Sequence, residues 1–303
     1  MDTRRLEAFT KVVDLGSVTR AASVLHIAQP ALSQQIISLE GEFRVQLLNR
    51  STRGVTPTEA GKVLYRYAKT IMRQVDEARR GVLEQGGELT GSVSVGLAGW
   101  SSASLLGPRL IAEVHEHHPG IRLQICDSFL IRLSEMVLNG QLDMAVLYGD
   151  HAARGLNYIA VGEESFRIAA PPGLLPEGVE VIDHEALAAL PLVMPIRESF
   201  ARLMVERACE TVGRAPDITV EVFSCSNLIA ALEAGCGATV VPVEVAESLA
   251  ARTELEIRPL HKDMRMPMSM CIPDSEGLSD AAFAVYQIMD RLVRGRPAMR
   301  GAA

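Results

Sequence analysis

The chain has 303 residues, of which 48% are hydrophobic and 22% charged, and its formal net charge is -7. This composition is typical of a folded protein with two or three domains, and it excludes a disordered chain or a uniformly basic DNA-coating protein. Apolar runs are too short to span a membrane, and the charged first residues lack the apolar core of a signal peptide. We therefore expect a cytoplasmic protein.

The charge is unevenly distributed along the chain. Residues 1–88 carry 13 Lys and Arg against 10 Asp and Glu, whereas the remainder carries 17 against 27. No acidic residue lies between Asp14 and Glu40. Because a surface without carboxylates suits a phosphate backbone, this asymmetry predicts a nucleic-acid-binding module joined to a module of another kind.

Three short helices are predicted at the start of the chain. The first spans Thr3–Leu15 and stops at Gly16, and Ser17 caps the second. The third helix buries one apolar face, while its other face carries short polar side chains that can reach base edges in a major groove. The pattern fits a helix-turn-helix and, equally well, a small three-helix unit with a polar face. The residues on that polar face are Pro30, Ser33, Gln34 and Ile37.

A hairpin is predicted next, over residues 47–56. Its two short strands flank a turn that contains Gly54, and Arg50 and Arg53 lie on or beside this turn. A two-stranded wing with arginines beside a recognition helix can contact phosphates or a minor groove. An exposed hairpin with solvated arginines would show the same pattern.

A long helix is predicted after this wing. Thr56-Pro-Thr-Glu59 forms a capping box with proline at the first helical position. Apolar residues then recur at alternating spacings of four and three, which is a heptad seam and predicts a partner helix, namely the same helix of a second subunit. The alternative is packing on the chain's own C-terminal domain. The predicted dimerisation residues are Leu64, Ala68, Ile71, Val75 and Ala78, and Val82 continues the seam.

Beyond a Gly-rich boundary at residues 84–91, strands alternate with helices. Strands are predicted at 92–97, 121–126 and 142–147, and a second series begins at 218. This alternation predicts parallel sheets with helices on both faces, and the two series predict two lobes. The chain is expected to leave the first lobe after Tyr148 and to return through residues 266–271.

Two loops at predicted strand ends combine hydroxyl groups with a helix start. These loops are residues 98–102 and 224–227, and such places favour a carboxylate or phosphate ligand. Each serine also fits the role of a simple helix cap. The sole tryptophan, Trp100, either plugs the cleft or stacks on a ligand. The predicted effector-binding residues are Ser101, Ser102, Ser128, Arg197, Ser199 and Ser226, with Arg197 as the countercharge to an anion.

Other chemistries have little support in the sequence. The five cysteines form no CxxC pair, which predicts reduced, buried thiols rather than a redox sensor. The group His115-Glu-His-His118 lacks the spacing of a zinc motif, so neither a metal nor another cofactor is predicted. Nucleotide-binding and nucleophile-elbow motifs do not occur, and we predict no catalytic residues and no enzymatic activity.

The first sixty-odd residues contain a continuous series of short sequence motifs. They are Ala21-Ala22, Leu25, Gln29-Pro-Ala-Leu-Ser33, Ile36, Leu39-Glu40, Leu48, Arg50 and Val55-Thr-Pro-Thr-Glu-Ala-Gly61. Together they resemble the LysR-type transcriptional regulators. Within that family, residues 26–35, 53–62 and 140–149 are similar to the nitrogen assimilation control subgroup.

The resemblance implies an α/β protein in three parts. Residues 1–58 would form a winged helix-turn-helix DNA-binding domain, and residues 59–88 a dimerisation linker helix. Residues 89–303 would form an effector-binding regulatory domain similar in shape to periplasmic binding proteins. Its first lobe would comprise about 91–160 and 267–295, and its second lobe about 161–266.

The resemblance also implies a sequence-specific regulator of transcription. It would bind dyad-symmetric double-stranded promoter DNA as a homodimer or homotetramer, and a small, anionic effector would gate it. RNA polymerase is a further candidate partner, and no membrane is involved. By matching position, Gln29 and Gln34 would contact bases, and Thr19, Arg50 and Arg53 would contact phosphates. The full set of DNA-contact candidates is Thr19, Gln29, Pro30, Ser33, Gln34, Arg50 and Arg53.

Two alternatives remain at the level of the sequence. One is a regulator of the same type that is controlled by its own abundance and needs no effector. The other is a cytoplasmic solute-binding protein, which the N-terminal module argues against.

Overall fold

The computed structural model describes residues 2–51, 54–83, 89–149, 153–197, 199–261, 264–274 and 277–296. The chain divides into two compact units, Met1–Gly91 with Leu138–Gln141, and Ser92–Val137 with Leu142–Ala303. The N-terminal unit contains the predicted helices and wing. Its elements are α1 (Thr3–Leu15), α2 (Val18–Val24), α3 (Gln29–Phe43), β1 (Leu48–Ser51), β2 (Gly54–Pro57) and α4 (Glu59–Leu83).

The N-terminal unit is built around one apolar core. The third helix contributes Leu32, Ile36 and Leu39, all fully buried, and α1 contributes Leu6 and Phe9. This confirms the predicted apolar face of α3, whose residues recur at helical spacing. The predicted positions of α1 and of the two wing strands are confirmed as well.

Short turns join the first three helices. Gly16 ends α1 in the left-handed conformation with φ 61°, and the Ser17 hydroxyl accepts a hydrogen bond from the Arg20 N–H at 3.3 Å. The turn between α2 and α3 places His26, which is not a glycine, at φ 54°. The Ile27 N–H donates to the Ala22 carbonyl at 3.1 Å and so satisfies an end of α2.

The start of α4 differs from the predicted capping box. Pro57 still pairs with Leu48 in the wing, so the helix begins two residues later, at Glu59. Its cap is the Thr58 hydroxyl, which accepts the Gly61 N–H at 3.0 Å. A side chain at Gly61 would place its Cβ 2.0 Å from the Leu47 carbonyl oxygen, so this close approach of helix to wing requires glycine.

The C-terminal unit alternates strands and helices as predicted. Its strands are β3 (Gly91–Ala98), β4 (Ile121–Ser128), β5 (Met144–Tyr148), β6 (Leu156–Ala170), β7 (Pro191–Pro195), β8 (Asp217–Val222), β9 (Thr239–Pro242), β10 (Glu256–Pro259) and β11 (Arg265–Pro273). Its helices are a 3-10 turn (Ser104–Leu106), α5 (Gly107–His117), α6 (Leu130–Leu138), α7 (His184–Ala189), α8 (Phe200–Thr211), α9 (Cys225–Glu233), α10 (Val243–Ala250) and α11 (Asp280–Arg294).

The sheets are mixed rather than parallel, which corrects the prediction. In the first lobe the strand order is β4-β3-β5-β11-β6, with β3 and β5 parallel but β11 antiparallel to both β5 and β6. In the second lobe β7 and β8 are parallel, whereas β9 and β10 pair antiparallel with β6. The returning strand β11 and the long strand β6 cause the antiparallel pairings.

The passage between the lobes also differs from the prediction. The chain does not leave the first lobe at Tyr148, because β6 starts again in the same sheet and runs on into the second lobe. Residues 156–165 of this strand pair with β11, and residues 166–170 pair with β9 or β10. The two-lobed architecture itself is confirmed. Among the helices that the structure describes, none is both long and apolar enough to cross a membrane.

Candidate DNA-binding surface and interlobe cleft

The exposed face of α3 carries the predicted base-contacting residues. Gln29, Pro30 and Gln34 are exposed and Ser33 is half-buried, on the side opposite the core. Ile37 lies among them and is 50% exposed. The side chain of the N-cap residue Ala28 does not cap the start of α3, and an uncapped helix start favours an anion such as a phosphate.

Two other predicted DNA contacts lie on α2 and on the wing of the same unit. Thr19 is exposed at the start of α2, and Arg50 is exposed on β1, opposite Val55 of β2. Arg53 lies outside the described residues. The structure therefore leaves Thr19 and Arg50 accessible within the same unit as α3.

Glu40 joins the wing to the end of α3, a role that sequence reasoning missed. Its carboxylate oxygen Oε1 accepts hydrogen bonds from the backbone N–H groups of Leu47 at 2.8 Å and Leu48 at 3.2 Å. Only its place in the Leu39-Glu40 motif marked this residue in the sequence. The carboxylate sets the position of β1, and with it Arg50, relative to the polar face of α3.

A polar link holds α4 against α1. The Asp14 carboxylate accepts a hydrogen bond from the Tyr65 hydroxyl and pairs with Lys69 Nζ at 3.1 Å. Burial, followed by the hydrogen bond to Asp14, raises the pKa of Tyr65 well above its usual value. The tyrosine is therefore a neutral donor, which anchors the helix to the head.

The heptad seam of α4 splits into two parts, which corrects its assignment. Leu64 is 8% exposed and Ala68 0% exposed, because both belong to the core of their own head. These two residues cannot also cover a partner helix. Ile71 packs partly against the same core, whereas Val75 is half-buried and Ala78 exposed. The side chain of Val82 lies outside the described part of the chain.

Trp100 fills the cleft between the two lobes. It follows β3 of the first lobe in a left-handed conformation with φ 62°, yet it is only 4% exposed. Its ring packs into a cluster formed mainly by second-lobe side chains, including Val193, Val222, Leu228 and Val241. Of the two predicted roles for this residue, the structure shows the plug.

Little space is left beside this plug. A void of about 10 Å³, lined by Trp100, Tyr148, Ser199 and other residues of the cleft, can hold about one water molecule. Phe129 of the first lobe meets Phe223 of the second edge to face, with ring centroids 5.2 Å apart. The void, which described residues line, is too small for an organic effector.

The predicted effector-binding serines lie in different environments. The Ser101 hydroxyl donates to the Ala98 carbonyl at 2.5 Å and accepts the Ala103 N–H at 3.0 Å. Ser226 is exposed beside Ser224, whose hydroxyl caps α9. Ser128 is half-buried, and its carbonyl accepts the Gly99 N–H at 2.9 Å. Ser199 is buried and lines the small void without capping α8.

Arg296 is a cation of the cleft that the sequence did not predict. The predicted Arg197 has a side chain that is 79% exposed and pairs with Glu206 at 3.6 Å. Arg296 is only 6% exposed. Its Nη1 donates to the Ser102 hydroxyl at 2.5 Å, and its Nη2 donates to the Ser102 carbonyl.

Two carboxylates complete this arginine site. Glu164 Oε1 lies 3.6 Å from Arg296 Nη1, and Glu244 Oε2 lies 3.3 Å from Nη2. Glu164 is 2% exposed and accepts a hydrogen bond from the Tyr148 hydroxyl. Burial raises the pKa of Glu164 to about 7, although Tyr148 and Arg296 act in the opposite direction. Nothing in the sequence marks Arg296, because its partners lie far away along the chain.

The cysteines are only partly buried, which corrects that prediction. Cys209 and Cys271 are buried, whereas Cys225 is exposed and the other two are half-buried. Burial raises the pKa of the Cys271 thiol to about 11 and also raises that of Cys209. The pKa of Cys225 is raised by partial desolvation of its thiol and by the charge of Asp127. A raised pKa disfavours the reactive thiolate at these three positions. Within the described residues, no group of three or more potential ligands could hold a metal ion.

Two family models match the chain, one in each unit. Residues 3–62 match the bacterial regulatory helix-turn-helix protein, lysR family. Residues 86–293 match the LysR substrate binding domain. The nitrogen assimilation regulatory protein nac of Klebsiella aerogenes is 39% identical over 99% of this chain and 97% of its own length. The protein of that name in Escherichia coli strain K12 is 37% identical over 95% and 94%.

Solved structures agree on the fold. A full-length variant of OxyR from Pseudomonas aeruginosa matches with a TM-score of 0.75 and 21% identity, over 99% of this chain and 97% of that chain. CbnR, a LysR family transcriptional regulator, matches with a TM-score of 0.62 and 21% identity, over 97% and 99%. Because the family models match both units and two relatives align over nearly the full length, the chain belongs to the LysR family of DNA-binding transcriptional regulators.

Proposed function

We propose that this regulator binds dyad-symmetric promoter DNA with the polar face of α3 in a major groove and the wing on the adjacent backbone. The observation that carries the proposal is the division of α3 into a fully buried apolar face and an exposed face with Gln29, Pro30 and Gln34. No acidic side chain occurs from residue 15 to residue 39. Amide side chains suit adenine edges, and Thr19 and Arg50 suit phosphates.

A dimer follows from the unpaired part of α4. Val75 and Ala78 continue the heptad seam beyond the core of the head, which Ile71 still contacts in part, so a second copy of the helix is the partner that we infer. Two heads on such a dimer would reach successive half-sites, and a homotetramer would bind two such pairs. On this division of roles, residues 1–58 bind DNA, 59–88 dimerise, and 89–303 regulate.

We also infer the biological setting from the similar proteins. Two relatives at 37 and 39% identity carry the name of nitrogen assimilation regulatory protein, so we propose nitrogen-responsive promoters as targets. RNA polymerase at those promoters is the proposed further partner, and the cytoplasm is the proposed location. Transcript profiles of a deletion strain and its parent under nitrogen limitation test this. Unchanged nitrogen-assimilation transcripts would contradict it.

Single substitutions test the DNA-binding face. Anisotropy of labelled DNA from the gene's own upstream region measures affinity, with a scrambled duplex as the non-specific reference. Gln34→Ala should cost about 1–3 kcal/mol on the specific duplex and leave the scrambled duplex unaffected, because it removes a base contact. Arg50→Ala should weaken binding to both and reduce the salt slope by about 0.9, because it removes a phosphate contact.

Lys62→Ala is the matched control for these variants. Its side chain is 60% exposed and pairs with Glu59 at 2.7 Å on α4, a helix that carries none of the proposed DNA contacts. It should bind both duplexes like the parent protein. If Gln34→Ala also matched the parent on the specific duplex, this face of α3 would not be the recognition surface.

The closed cleft supports regulation by abundance. The void of about 10 Å³ beside Trp100 admits no organic effector, and the protein's own side chains satisfy the Ser102 site. We therefore propose that the closed form needs no small molecule, so the amount of regulator sets promoter occupancy. Gating by the anionic effector expected from the sequence is the alternative proposal.

A further inference from the structure

A guanidinium-shaped site is built into the interlobe cleft. The hydroxyl and carbonyl of Ser102 accept the hydrogen bonds of Arg296. One carboxylate oxygen of Glu164 and one of Glu244 lie at ion-pair distance. A planar guanidinium presents five N–H donors in a rigid fork, which matches acceptors on several sides. A lysine ammonium is a compact point charge without this fork. The two hydrogen bonds to Ser102 therefore fit the fork of the Arg296 guanidinium.

The acidic groups of this site are buried and directed at the cation. Glu164 is 2% exposed, and its Oε1 has no hydrogen-bond partner, with Arg296 Nη1 at 3.6 Å as its cationic neighbour. An unpaired carboxylate in such a place is costly unless a cation accompanies it. Arg109 also lies near enough to lower the pKa of Arg296, but burial is the main cause of that lowering.

The site joins the two lobes. Ser102 follows β3 in the first lobe, and Arg296 follows α11, which packs on α5 of that lobe. Glu164 lies on β6 before this strand crosses to the second lobe. Glu244 lies in the first turn of α10, which packs on the second-lobe strands. The ion pair of Arg296 with Glu244, at 3.3 Å, therefore bridges the cleft.

We propose that the interlobe cleft is a guanidinium site whose resident ligand is Arg296 of the same chain, so that this one side chain, two residues beyond α11, serves as an internal effector that holds the lobes closed. The proposal deepens the function proposed above, because it names the group that keeps the cleft closed without a small molecule. It also assigns the site to a cation rather than an anion. An external guanidinium compound enters only where Arg296 has left.

Chemical rescue of Arg296→Ala in the full-length protein tests the proposal. Trp100 is the only tryptophan, and it lies in the cleft, so quenching of its fluorescence by acrylamide reports opening of the lobes. Quenching should rise severalfold in Arg296→Ala, and added methylguanidinium should return it towards the parent value. N-methylurea, which has a similar shape without the charge, and sodium chloride at equal ionic strength should not restore it.

Arg294→Ala is the matched control. Arg294 ends α11 two residues earlier and pairs with Asp290 at 2.7 Å on an exposed surface. Acrylamide should quench the Trp100 fluorescence of this variant to the same extent as in the parent protein, with or without methylguanidinium. Quenching of Arg296→Ala at the parent level would overturn the proposal. Equal rescue by methylguanidinium and N-methylurea would overturn the guanidinium assignment.

Glu244→Gln is the variant to use if circular dichroism shows that Arg296→Ala does not fold. This variant removes the negative charge that bridges the lobes and should raise quenching in the same direction, whereas unchanged quenching would overturn the proposal. The fluorescence measurements need no DNA. A loss of promoter binding by Gln34→Ala or Arg50→Ala therefore judges the proposed function separately from the arginine site.

Discussion

At the scale of single residues, the Glu40 carboxylate fixes the geometry of the DNA-binding head. Glu40→Ala leaves the Leu47 and Leu48 N–H groups without their acceptor. We expect a loss of about 1–3 kcal/mol in the free energy of unfolding of the head, because hydrogen bonds to a charged group are lost. DNA affinity should fall as well, because the wing with Arg50 is no longer fixed to α3. Urea denaturation and anisotropy measure the two effects.

Glu42→Ala separates this role from simple loss of charge. Glu42 lies on the same helix, and its carboxylate is 3.6 Å from Arg5 in a partly exposed ion pair. Partly exposed pairs contribute little, so its free energy of unfolding should change by less than about 1 kcal/mol. If both variants lost stability and affinity equally, the hydrogen bonds of Glu40 would not position the wing.

The buried carboxyl of Glu164 makes stability depend on pH. Its pKa is about 7 against an ordinary value of 4.5, because burial disfavours the charged form. Tyr148, Arg296, Glu244 and the Ser102 backbone face this carboxyl. Between pH 4.5 and about 7 the folded state therefore keeps a proton on Glu164 that the unfolded state has released. The contribution of this group to the free energy of unfolding is lost as the pH rises through about 7.

Glu164→Gln should remove this part of the pH dependence. The amide retains an acceptor for the Tyr148 hydroxyl and does not titrate. Urea unfolding followed by Trp100 fluorescence, at about pH 5 and about pH 8, should show a smaller decrease in the variant than in the parent protein. Equal decreases in the two proteins would show that Glu164 does not titrate in this range.

Site residues could be predicted where their contacts lie close along the chain, and not where the partners are far apart in sequence. The exposed positions of α3 follow from helical spacing alone, and the structure places Gln29, Pro30 and Gln34 on the surface as expected. The serines at helix starts carry the same signal whether they cap or bind, and Ser101 binds its own turn. No local sequence pattern marks Arg296, because its hydrogen bond to Ser102 joins residues 194 positions apart.

At the scale of elements, regular periodicity predicted α1, α3 and most strands, but not β6. This strand spans Leu156–Ala170, and the polar run from Gly162 to Ser165 interrupts its apolar alternation. In the structure the interruption lies just before the strand crosses between the lobes, where Glu164 belongs to the arginine site. A strand that passes through two environments cannot show one uniform pattern.

The two halves of the α4 seam should respond differently to a buried charge. Val75→Asp, beyond the head core, should give monomers while the head stays folded, because the charge falls in the proposed helix–helix seam. Ala68→Asp should instead destabilise the head by several kcal/mol, since Ala68 is fully buried within one chain. Sedimentation and circular dichroism distinguish the outcomes. A Val75→Asp protein that still sediments as a dimer would exclude this interface.

At the scale of the whole molecule, the two units differ in how far apart along the chain their functional residues lie. The head carries its function on a continuous segment, so motifs within sixty residues suffice to identify its fold and DNA-binding role. The second unit forms its cleft from β3, β6, α10 and the end of α11, which come together only after folding. The two-lobed shape was predictable, but the occupant of the cleft was not.

A closed, self-filled cleft should make promoter binding indifferent to metabolites. A ligand shifts an equilibrium only by its differential affinity for two states. Here a ligand must first displace Trp100 and Arg296. Its apparent affinity is therefore reduced in proportion to the small fraction of molecules that are in the open form. Gel shifts on the upstream promoter region should therefore give the same affinity with and without a small-molecule cell extract.

The same extract should distinguish a variant in which the plug is removed. Trp100→Gly is suited to the left-handed backbone at φ 62° and leaves a large cavity between the lobes. Loss of this buried ring should lower the free energy of unfolding by about 3–5 kcal/mol. Small ligands that enter the cavity should raise the melting temperature of the variant and leave that of the parent protein unchanged. A fraction of the extract that altered promoter binding by the parent protein itself would show that the cleft opens to an effector, and control by abundance would then be wrong.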